Sequence, residues 1–318
     1  MAHYKLLSVG CLYFFICQCF AAIVNSGAHP HFSYNSFRRY GPINWFRIWS
    51  SCAGDRQSPI NIDTASTSIN ETMHIHYDHL SRTIPGKLTN NGHVPVFSFA
   101  DQQRPVLTGV PHHEHDRYLL EQIHLHFQKD SRTGSEHTVD KQFYSGEFHL
   151  VHYNSKYGNF SAAVKQPDGL AVIAVFLKDL GRPAPMHVEE LLVETEETHS
   201  AHASLALTIN PSEFLPERCE FYTYPGSLTT PGCEESVTWI VMATPMSIPD
   251  VDMDRLREMK DIHGNPIAQD GNCRPRQPHG ARIVEANFAA KTGHKKLAYT
   301  TTSLSEKNSD SLAEKEGH

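Results

Sequence analysis

Alternation with a period of two dominates the middle of this 318-residue chain and restricts it to strands. Residues 119–127, 147–153, 170–177, 204–209 and 236–243 are apolar or alternating, rich in Val, Ile and aromatic residues, and bounded by Gly, Pro, Asn or Asp. Such runs suit the pleated, partly or wholly buried surface of a sheet. Helical spacing is brief by comparison. It covers Val188, Leu191 and Leu192 after Pro185, and Met253, Leu256 and Met259 after Asp250, a residue type that caps helices. Between Arg56 and Ala290 there is no repeat, low-complexity linker or break in composition, so a single domain is the simplest organisation. The predicted fold class is mainly β (α+β), with helices at the periphery.

Side chains alternate faces along a strand, so Gln122, His124 and His126 share one face while Ile123, Leu125 and Phe127 take the other. By the same rule Glu147, His149 and Val151 lie together, with Phe148, Leu150 and His152 opposite. If the two strands are neighbours, three imidazoles converge. Three neutral imidazoles leave the fourth tetrahedral position of Zn²⁺ open, the pattern of a catalytic site. Gln122 and Glu147 each stand two residues before a ligand, on its face, where they can accept the ring proton that the metal does not use. An isolated His-x-His is usually incidental, and Met73-His-Ile-His-Tyr77 serves as a control: no Gln or Glu flanks its histidine face, so His74 and His76 read as solvated strand residues. His112, His113 and His115 lack strand periodicity and read as an exposed loop that binds metal adventitiously at most.

The ends read differently from the middle. Lys5, the apolar run 6–20 and the small residues Ala21 and Ala22 predict a signal peptide over residues 1–22. An uncleaved anchor is the competing reading, since residues 6–24 nearly reach membrane-spanning length. With Cys11, Cys17 and Cys19 removed, Cys52, Cys219, Cys233 and Cys273 remain, an even number suited to an oxidising compartment. The sequons at Asn70 and Asn159 agree with secretion to the extracellular space. Residues 23–290 form the predicted domain and 291–318 a flexible polar tail whose terminus lacks an apolar anchor. With 28 Lys and Arg against 35 Asp and Glu, the formal charge of −7 and the lack of a basic stripe argue against a nucleic-acid partner.

The stretches Gly41-Pro-Ile-Asn-Trp45, Arg56-Gln-Ser-Pro-Ile-Asn-Ile62, Asn90-Asn-Gly-His93, 122–127, Gly134-Ser-Glu-His-Thr-Val-Asp140, 147–154, Tyr224-Pro-Gly-Ser-Leu-Thr-Thr-Pro231, Val237-Thr-Trp239 and Arg274-Pro-Arg-Gln-Pro278 together resemble the alpha-class carbonic anhydrases, from Gly41 to about Phe288. The resemblance implies a large, twisted, mostly antiparallel central sheet with zinc at the base of a conical cleft. It also implies reversible hydration of carbon dioxide to bicarbonate and a proton, through attack by zinc-bound hydroxide. His124, His126 and His149 match the zinc ligands, and Gln122 and Glu147 their outer partners. Thr229 matches the residue that orients the hydroxide, Glu136 the carboxylate that accepts the threonine proton, and Thr230 a polar neighbour of bicarbonate. Val151, Val172, Leu228, Val237 and Trp239 match the apolar wall beside carbon dioxide, and His93 the proton shuttle. Cys52 and Cys233 match a disulfide of secreted members, which leaves Cys219 and Cys273 to pair by elimination.

Some residues depart from the family pattern. Phe127-Gln128 stands where Trp-Gly is common, Gly232 replaces a proline, and Ser36 or Phe37 falls where a cleft tyrosine is usual. A non-enzymatic binding module of the same fold is the alternative, but such domains typically lack a zinc histidine and all three are present here. An additional matrix or mineral-associated role is compatible with the acidic charge. The sequence assigns no oligomeric state.

Overall fold

The computed structural model describes residues 31–289 apart from 79–81 and 101–103, so the expected signal peptide and polar tail lie outside the described residues. Eight strands carry the central path: β1 (Ile84–Asn90), β2 (Pro95–Phe99), β3 (Tyr118–Phe127), β4 (Gly146–Asn154), β5 (Leu170–Lys178), β6 (Ser204–Ile209), β7 (Phe221–Gly226) and β8 (Val237–Met242). They lie in the order β6-β1-β2-β3-β4-β5-β8-β7 within a sheet of 13 strands, the short strands Glu285–Ala286 and Ser68–Ile69 continuing beyond β7. Neighbours on the path are antiparallel except β5 and β8.

Every residue of β4 is buried, as is all of β5 up to Leu177. Both faces of these central strands are therefore covered, which is why β5 reads as a continuous apolar run rather than an alternating one. On one face Ile123, Leu125, Phe148, Leu150, Ile173 and Val175 pack with Val188, Leu191, Leu192, Met253 and Leu256. Those last five come from the helices Met186–Val193 and Asp250–Arg257. The opposite face carries a second cluster around Val151, Val172, Ala174, Trp239 and Val241.

All five expected strands are present, each end within one residue of the reading, and both helices follow their expected spacing. The cap differs. Pro249 holds the cap position of the second helix and Asp250 begins it, without a capping bond, while Met259 is buried beyond the helix end. β1, β2 and β7 contain Pro85-Gly86, Pro95 and Pro225-Gly226, residues that ordinarily punctuate strands. A Cβ on Gly86 would stand 2.3 Å from Cζ of Phe97, so glycine is what lets that ring cross the strand.

Candidate metal centre

β3 and β4 pair directly, with His124 opposite His149, His126 opposite Glu147 and Gln122 opposite Val151. This register puts the three expected histidines on one face, all buried. Nε2 of His124 lies 3.1 Å from Nε2 of His126 and 3.2 Å from Nδ1 of His149, and the three together could hold one metal ion.

The remaining nitrogens settle the tautomers. Nδ1 of His126 donates to the backbone oxygen of Asn272 at 2.7 Å, and Nε2 of His149 donates to Oε1 of Glu147 at 2.7 Å. Burial pushes the pKa of His126 down to about 3 and lowers those of His124 and His149, so all three rings are neutral. The inward nitrogens of His126 and His149 therefore present lone pairs to each other's neighbourhood in a water-poor site. Tetrahedral coordination with Zn–N distances of about 2.0–2.1 Å spaces ligand nitrogens about 3.3–3.4 Å apart, close to the separations here. The donor set and spacing fit zinc.

Burial alone would raise the pKa of Glu147, but the flanking His137 and His149 outweigh it and hold the carboxylate charged. His137 gives Glu147 two bonds, from its backbone N–H at 2.8 Å and its Nδ1 at 2.6 Å, and its Nε2 meets the Tyr224 hydroxyl at 2.6 Å. Glu147 thus accepts the ring proton of His149. Gln122 shares the histidine face, but its Oε1 is buried without a hydrogen-bond partner. It is an acceptor in place with no bond formed.

Glu136 is buried with its Oε1 accepting the Arg274 backbone N–H at 2.7 Å and standing 3.6 Å from Nδ1 of His126. Burial, then the charge of Glu147, raises its pKa well above the usual carboxylate range, while the Arg274 N–H and the Thr229 hydroxyl act in the opposite direction. Oε2 of Glu136 is buried without a hydrogen-bond partner. Thr230 is half-buried, and its carbonyl accepts the N–H of Cys233 at 2.9 Å. Val172 pairs with Val151 on one side and Trp239 on the other. Together with Val237 they join the buried cluster on the sheet face opposite the helices, and Leu228 packs against it half-buried. The Trp239 ring lies 4.8 Å from that of His149.

His93 sits in the β1–β2 turn, two residues before Pro95 opens β2. Its ring stacks on Phe32 at 4.0 Å, and its carbonyl accepts the Asn272 side-chain amide at 3.1 Å. The expected disulfide is formed, with the Cα atoms of Cys52 and Cys233 4.9 Å apart. Gly232 beside it adopts φ +102°, which proline cannot reach, and this accounts for the departure at that position. The second bridge is not formed. Cys219 packs against the helix-side core, whereas the Cys273 thiol donates to the Gly134 carbonyl at 3.2 Å, so elimination paired two cysteines held in different surroundings.

Three participants escaped the sequence reading. Asn272 and His137 hold the ligands and their acceptor. Tyr34 is buried, with its pKa raised by burial and then by the charge of Glu136, whereas Phe37 is fully exposed. Of the other histidines, His74, His76, His112 and His115 are exposed. His113 could join Asp116 and Asp168 around an ion, but Lys156 already bridges those two carboxylates.

The central strands of this mainly β protein converge three neutral imidazoles that could hold a metal ion. The chain belongs to the eukaryotic-type carbonic anhydrase family, whose model matches residues 40–288. It is 37% identical over 257 residues to carbonic anhydrase 7 of Mus musculus, covering 79% of this chain and 95% of that protein. It is 36% identical over 258 residues to carbonic anhydrase 3 of Mus musculus, covering 78% and 95%.

Proposed function

We propose that His124, His126 and His149 hold one Zn²⁺ and that the protein uses it to hydrate carbon dioxide reversibly to bicarbonate and a proton. The convergence of three neutral imidazoles, with the His124 nitrogen 3.1 Å from that of His126 and 3.2 Å from that of His149, carries this reading. When bound, zinc supplies a water whose pKa is brought to about 7, a value for which carbonic anhydrase itself is the reference case and not one obtained from this structure.

The chain's own residues do the rest. Asn272 and Glu147 fix two ring tautomers, so that lone pairs and not N–H groups face the ion. Glu136, whose charged form a dication held by the histidines would favour, accepts a hydrogen bond from the Thr229 hydroxyl and leaves the threonine oxygen to orient the nucleophile. Val151, Val172, Leu228, Val237 and Trp239 offer carbon dioxide, which has no charge to grip, an apolar wall. Thr230 is the polar group beside bicarbonate. Each turnover leaves a proton to be exported, and His93 carries it on an imidazole suited to neutral pH.

Two variants separate these roles. Thr229→Ala should keep zinc while slowing hydration about 10²-fold, the usual cost of one preorganised polar contact. His93→Ala should lower maximal turnover only in weak buffer and recover with added imidazole. Loss of zinc in the first, or unchanged turnover at low buffer in the second, contradicts the assignment concerned.

We also propose that the protein is secreted after removal of residues 1–22 and glycosylated at Asn70 and Asn159. The Cys52–Cys233 disulfide supports an oxidising compartment, and Asn159 is exposed at a helix start, where its Oδ1 accepts the Ala162 N–H and its amide nitrogen is left for a glycan. Intact mass of protein collected from culture medium, before and after glycan removal, should show the truncation and the added sugar. A full-length, unmodified mass would refute both.

A further inference from the structure

Between Phe32 and Gly54 the chain carries Arg38, Arg39 and Arg47 and no acidic residue, although its formal net charge is −7. Three large apolar side chains in the same stretch stand in water: Phe37 is 99% exposed, Ile43 58% and Phe46 48%. Single exposed apolar residues are ordinary, but three within ten positions form a patch.

The exposure of Phe37 is built into the backbone. Ser33 N–H donates to the Tyr40 carbonyl and Arg38 N–H to that of Asn35, each at 3.0 Å, while Oδ1 of Asn35 accepts the Phe37 N–H at 2.9 Å. These bonds close the turn that presents Phe37. Nδ2 of Asn44 donates to the Arg38 carbonyl at 3.3 Å and ties the turn to the 3₁₀ helix Pro42–Arg47. Positions i and i+3 eclipse in such a helix, so Ile43 and Phe46 share a face. Arg39 lies over the Tyr40 ring and Arg47 over that of Phe46, each 5.4 Å from the centroid. Arg38 is 3.8 Å from Asp270, and among the described residues Arg39 and Arg47 form no ion pair.

We propose that this turn and helix dock the protein on an anionic lipid surface, with Phe37, Ile43 and Phe46 entering the headgroup boundary and Arg39 and Arg47 against lipid phosphates. Charge complementarity selects a negative partner. The apolar side chains select one with an accessible apolar layer, because a water-soluble polyanion would engage the arginines and leave Phe37 wet. Each arginine near such a surface strengthens binding about fivefold.

Co-sedimentation of the chain from residue 23 onward with vesicles of phosphatidylcholine alone, and of phosphatidylcholine mixed with phosphatidylserine, tests this. The protein should pellet with the anionic vesicles only and be released by high salt. Arg39→Glu with Arg47→Glu should weaken partitioning at least about 25-fold. Phe37→Ser with Phe46→Ser should also weaken it, with thermal unfolding and carbon dioxide hydration unchanged in both variants. No pelleting with anionic vesicles, or pelleting unaffected by either pair of substitutions, overturns the proposal. So does heparin binding that needs the arginines but not Phe37, which would assign the patch to a sulfated polyanion.

Discussion

His126→Ala should abolish stoichiometric zinc and, with it, carbon dioxide hydration. The ring is fully buried, and one of its nitrogens faces the other two ligands while the other is committed to the Asn272 carbonyl. Two imidazoles remain after the substitution, too few for the closed side of a three-ligand site. Removing an outer partner of a ligand typically costs 10–100-fold in affinity, so Glu147→Gln should fall within about that range and His126→Ala should exceed it. Elemental analysis of both variants after dialysis against the metal-free buffer ranks them. Equal zinc in His126→Ala and the parent protein would mean that the ion sits elsewhere.

Replacing Cys52 and Cys233 by serine should destabilise the domain by about 3–5 kcal/mol, which corresponds to a fall of roughly 6–20 °C in Tm. The two cysteines are 181 residues apart, so the bridge removes a large loop-closure entropy from the unfolded chain. It also anchors the loop that carries Thr229 and Thr230, since the Cys233 N–H is bonded to the Thr230 carbonyl. Activity should therefore decline before the domain unfolds. Thermal unfolding with and without reductant measures the effect, and thiol titration of the denatured chain from residue 23 onward should count two free cysteines. Four free thiols, or a Tm insensitive to reductant, would contradict the bridge.

The convergence of His124, His126 and His149 was legible because a strand converts a two-residue spacing into a shared face, and the three obey it. What holds those ligands was only half legible. Glu147 lies on the same strand as His149 and could be read from it, whereas Asn272 acts on His126 from 146 residues away through a backbone carbonyl, which no side-chain pattern marks. His137 belonged to a recognised stretch, but its role depends on its being folded between Glu147 and Tyr224. β1 and β7 escaped for a local reason: proline and glycine within them signal turns, and only their neighbours in the sheet make them strands.

Hydration of carbon dioxide by the purified chain, followed alongside its zinc content through chelation and metal return, tests the central claim most directly. About one zinc per chain is expected, with loss of activity in step with loss of zinc and recovery when zinc is restored. Undiminished hydration by protein stripped of metal, or a fully zinc-loaded protein that does not hydrate carbon dioxide, would contradict it.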